Sequence, residues 1–65
     1  MKKQELLINL EVMLDMKKKD LERAKERKDK YLEKRDTFGT GYEYGVIFEL
    51  ECEIDSLERL LKEAK

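Results

Sequence analysis

Apolar residues in this chain recur at helical spacing along two arms separated by a glycine-containing segment. From Leu6 to Met16, eight of eleven positions are apolar, and no Gly or Pro interrupts the run from there to Gly39. Counting in sevens from Leu7, one row holds Leu7, Leu14, Leu21, Lys28 and Arg35, and a second holds Leu10, Lys17, Ala24, Tyr31 and Phe38. This is a heptad seam in which Lys17, Lys28 and Arg35 lay their methylenes along the apolar surface and keep their charge in water. The second arm repeats the spacing without a break in Ile47, Leu50, Ile54, Leu57, Leu61 and Ala64, with Val46 and Leu60 widening the face.

The segment between the arms, Thr37-Phe-Gly-Thr-Gly-Tyr-Glu-Tyr-Gly45, carries the punctuation. Gly39 suits a left-handed helix end, and Thr40 with Glu43 three positions on forms a capping box. These signals predict helix one over about 2–38, a turn at about 39–41 and helix two over about 42–64. So short a connection makes the helices antiparallel neighbours. Gly45 then falls in the first turns of helix two, where it costs about 1 kcal/mol against Ala unless another backbone approaches it closely. The expected fold is all-α: one domain over 1–65, an antiparallel hairpin with a long first helix.

A second set of apolar positions predicts association. At about 100° per residue, Leu6, Leu7, Leu10, Met13 and Leu14 share one face, while Ile8, Val12 and Met16 lie nearly opposite. Tyr44, Phe48 and Cys52 form a similar stripe away from the seam of helix two. A helix apolar on two faces expects packing on both. With these boundaries the first arm outruns the second, so its most apolar stretch projects uncovered. A two-fold axis placing first helices antiparallel would let Ile8, Val12 and Met16 cover Tyr44, Phe48 and Cys52 of a second copy. The expected interface is Leu6, Ile8, Leu10, Val12, Met13, Met16, Tyr44, Phe48 and Cys52, and the expected assembly is a homodimeric four-helix bundle.

Charge adds a constraint on arrangement. The chain is 48% charged, with a net charge of -1, no Pro and 8% aromatic residues, within 65 residues. That length is near the lower limit for a self-sufficient core. Lys17 to Asp36 carries ten basic against six acidic residues, and Glu43 to Lys65 three against seven. Opposite arms favour folding onto each other over pairing with like copies.

Candidate chemistry is sparse. Cys52 is the sole cysteine and histidine is absent, so an intramolecular disulfide and every Cys/His zinc pattern are excluded. A lone cysteine points to a reducing cytoplasm. Ser56 has no histidine to activate it, and Glu49, Glu51, Glu53 and Asp55 scatter round a helix at i, i+2 spacing. Gly39, Gly41 and Gly45 match no nucleotide-binding fingerprint. No catalytic residue, metal or cofactor is expected. Met1-Lys2-Lys3 resembles a basic leader, but Asn9, Glu11 and Asp15 break the apolar stretch that should follow, and no membrane partner is expected. Glu53-Ile54-Asp55-Ser56-Leu57 is similar to the short acidic motif of small helical-hairpin phosphatases acting on sporulation response regulators. The match spans five residues, Glu51 stands where that motif has serine, and the activity is not carried over.

These features predict a small protein–protein association module, a regulator or inhibitor of another cytoplasmic protein of the kind that phages and mobile elements encode. The alternative is a nucleic-acid accessory protein using the basic half of helix one. Asp20, Glu22, Glu26, Asp29 and Glu33 interleave with its Lys and Arg residues and weaken a phosphate-tracking surface.

Overall fold

A computed structural model describes residues 3–64 as two α-helices, α1 (Lys3–Glu33) and α2 (Thr37–Ala64), packed along their length as an antiparallel hairpin. The buried positions follow the heptad frame. Leu7, Leu10, Leu14, Lys17, Leu21, Lys28 and Tyr31 are half-buried on α1, with Ala24 fully enclosed at 0% exposure. They meet the buried Ile47, Leu50, Ile54, Leu57 and Leu61 of α2. Ala24, Ile47 and Leu50 form the central cluster, flanked by Leu21 and Val46.

The turn lies earlier than the glycines suggested. α1 ends at Glu33, not near 38, and α2 begins at Thr37, not near 42. The reversal occupies Lys34 to Asp36 and contains no glycine. Arg35 takes the left-handed conformation at φ 58°, which costs a non-glycine residue about 1–2 kcal/mol. Its N–H donates to the Leu32 carbonyl (3.1 Å), and the Asp36 N–H reaches back to that of Tyr31 (2.9 Å). This Schellman pair satisfies carbonyls that the end of α1 would otherwise leave bare.

Asp36 closes α1 and opens α2. Its carboxylate accepts the Gly39 N–H at 2.9 Å, the N-cap role expected of Thr40. Its carbonyl accepts both the Thr40 N–H (3.0 Å) and the Thr40 hydroxyl (2.7 Å). The capping box is therefore absent, and Glu43 turns into the seam. Gly39 has no positive φ. It is needed because a Cβ there would sit 2.6 Å from the Tyr31 ring.

Moving the turn changes the register. Two ion pairs crossing the seam, Lys17–Glu53 and Arg27–Glu43, keep step: ten residues forward on α1 match ten back on α2. Leu10 is thereby level with Leu60, and Leu6 with Ala64. The arms, of 31 and 28 residues, nearly match, and the expected overhang of Leu6 to Met16 does not exist. Arg35 and Phe38 also leave the seam, Arg35 into the turn and Phe38 onto the surface of α2.

Candidate association surface

The exposed N-terminal apolar residues lie off the seam: Ile8, Val12 and Met16 point away from α2, whereas Leu6 and Met13 border one lateral side. Leu6, Ile8, Val12, Met13 and Met16 are exposed on α1, together with Leu32. On α2 the exposed large side chains are Phe38, Tyr42, Tyr44, Phe48 and Leu60. Leu10, expected at an intermolecular interface, is instead half-buried in the hairpin's own seam.

Helical phase sorts these residues into separate faces. Ile8 and Val12 lie on the outer side of α1, opposite its seam, and Met16 borders them. Phe48 and the exposed Cys52 lie on the outer side of α2, beside Gly41 and Gly45. A Cβ at either glycine would meet nothing within 4 Å, so no close approach within the chain accounts for Gly45. The two stripes expected to cover each other therefore face away from each other across the hairpin. Tyr44 departs from its stripe and turns to one lateral side, where its ring lies 5.5 Å from Lys28 Nζ and lines a hollow with Leu32, Thr37, Thr40 and Gly41.

The opposite lateral side carries a groove of about 380 Å3 lined by Asp20, Arg23 and Arg27 from α1 and Val46, Glu49, Leu50 and Glu53 from α2. Its two rims differ in sign, because the basic stretch of α1 runs beside the acidic stretch of α2. Val46 and Leu50 make its floor. Lys17 and Glu53 bridge it at one end, and the bond to Glu53 raises the Lys17 ammonium above lysine's ordinary value. Arg27 Nε donates to Glu43 Oε2 at 3.1 Å, which raises the guanidinium in the same way. Glu43 is 3% exposed, and its other oxygen is buried without a hydrogen-bond partner. The periodicity concealed this buried carboxylate because Thr40-x-x-Glu43 had a ready local explanation; the spacing of Glu43 to Ile47 and Leu50 carried the signal.

Among the described residues, no cluster of three or more His, Cys, Asp or Glu is arranged to hold a metal, and no helix is long and apolar enough to cross a membrane. Glu49, Glu51 and Asp55 remain dispersed and exposed along α2. No protein-family model, curated protein or solved structure matches the chain.

Proposed function

We propose that this protein works by association: its exposed apolar faces are covered by other polypeptide, its own and that of a cytoplasmic partner whose activity it modulates. The observation that carries the reading is the number and placement of exposed large hydrophobic residues. Eleven occur within 62 described residues, and Phe38 and Phe48 keep 87% and 72% of their surface in water. A solvated monomer gains nothing from aromatic rings held there, whereas aromatic residues anchor interfaces. The thin seam points the same way, since none of its large side chains is fully enclosed.

Reading α1 as a nucleic-acid surface has less support. Lys17, Lys19, Arg23 and Arg27 each lie within 4.0 Å of a carboxylate on their own chain, which reduces the charge available to phosphates. The deciding experiment is affinity capture by the full chain from its source cell, with a Phe48→Asp chain in parallel. Retention of a defined polypeptide by the native chain and its loss with Phe48→Asp is the expected result. Capture of nucleic acid alone, weakening steeply with salt, would sink the proposal in favour of the alternative.

A further inference from the structure

Rows seven residues apart mark a second seam beside the first. On α1 the row is Leu6, Met13, Asp20 and Arg27; on α2 it is Val46, Glu53 and Leu60. All border the same lateral side of the hairpin, and the groove occupies their central portion. Toward the open end the rows become apolar, with Leu6, Met13 and Leu60 exposed at 46%, 48% and 49%. Each covers about half its surface against its own hairpin and leaves the other half open. In a four-helix bundle every helix needs such a second strip, because it packs against two neighbours.

We propose that a second copy of the chain seats on this groove face, related by a two-fold axis running along the hairpin, so that α1 of each copy lies against α2 of the other. This inference rests on the association reading and commits it to one surface. Charge selects the second copy and its orientation. Arg23 and Arg27 stand on the α1 rim, Glu49 and Glu53 on the α2 rim. Rotation about the long axis sets the arginine rim of one copy on the glutamate rim of the other, twice. Rotation about an axis across the hairpin would set arginine on arginine and glutamate on glutamate. Asp20 reduces the positive charge of the α1 rim without reversing its sign, and lies 3.7 Å from Arg23. Glu53 is held by Lys17, which leaves Glu49 as the acidic group facing the partner's Arg23.

The apolar parts also meet in this orientation. Val46 faces α1 of the partner about level with Ala24, and Leu60 comes level with the partner's Leu10, within about a turn of its Met13, near the open end. Size is adequate: the hairpin measures 49 Å by 14 Å between Cα extremes, a projected face of roughly 700 Å2, near the ~800 Å2 per partner of a standard interface.

The test is sedimentation of the full chain at micromolar concentration, as native protein, as Arg23→Glu, as Glu49→Arg, and as an equal mixture of the two variants. The native chain should have twice the monomer mass. Each reversal alone should weaken the dimer roughly tenfold or more by setting like charges together twice. The mixture should restore it as a heterodimer, because Arg23→Glu then faces Glu49→Arg while the symmetry-related contact keeps both native residues. Circular dichroism monitors the fold, and Arg23→Gln provides a milder variant that removes charge without reversing it. A native dimer indifferent to both reversals, or variants weakened alone but not rescued by mixing, overturns this surface and leaves the association reading standing. A native chain that stays monomeric overturns the two-fold arrangement, whereas failure to retain any polypeptide in the capture experiment overturns the association reading itself.

Discussion

Three glycines stand within seven positions, yet their surroundings assign them opposite effects. At Gly39 a methyl group would collide with the Tyr31 ring, whereas at Gly41 and Gly45 it would enter open space. Gly39→Ala is therefore expected to destabilise the hairpin by about 1–3 kcal/mol through forced displacement of the ring, despite alanine's better helix propensity. Gly45→Ala should stabilise it by about 1 kcal/mol. Urea denaturation of the two variants checks the contrast, and equal effects would contradict the close packing of Tyr31. Lys17 supplies a pH-dependent counterpart. Its partner Glu53 raises its proton affinity in the folded state, so its contribution is complete below lysine's ordinary value of 10.5 and is lost as pH rises through the raised value. Denaturation from neutral to strongly alkaline pH should show this loss in the native chain and a smaller one in Lys17→Met. Parallel curves would remove the ion pair from the account of stability.

The helices themselves were legible in the sequence because the seam is written in residues with one physical preference. Leu, Ile and Ala at heptad spacing have no comparable alternative to burial against a partner helix. Leu57→Ala or Ile54→Ala should accordingly cost ~2–5 kcal/mol through lost burial and a residual cavity. Lys28→Leu should be neutral or stabilising by thermal melting, since the stem of Lys28 already lies half-buried in the row. The turn was illegible because Gly39, Thr40 and Glu43 imitate a helix stop and start, although packing and burial are what they serve. The true signal, Asp36 as N-cap, sat beside an arginine accepting a left-handed conformation at an energetic cost. An antiparallel hairpin doubles such an error: displacing the turn by about five residues shifts the facing residue by about ten, or ~15 Å of helix. The apolar stripes are therefore visible in the sequence while their relation across the hairpin is not, and arms of matching length read as unequal.

At the scale of the whole molecule, a two-helix hairpin exposes every helix on three sides. That geometry explains how a chain with a regular seam still keeps eleven large hydrophobic residues in water among those described. Its extents of 49 × 14 × 14 Å describe a rod more than a globule, and a rod becomes compact by lying beside another. Because the arms are of nearly equal length, α1 starts and α2 stops at the same end of this rod. If two rods lie with open ends together, the last turn of one copy stands about 8–10 Å, one helix spacing, from the first turn of the other. A flexible linker of roughly six residues then suffices to join two copies head to tail in one polypeptide. Such a gene duplication would turn a concentration-dependent assembly into a self-contained four-helix domain with an effective local concentration on the order of millimolar. Its melting temperature should not change with dilution, whereas that of the single-copy protein should fall. A tandem chain that instead pairs with further tandem chains would place the open ends apart.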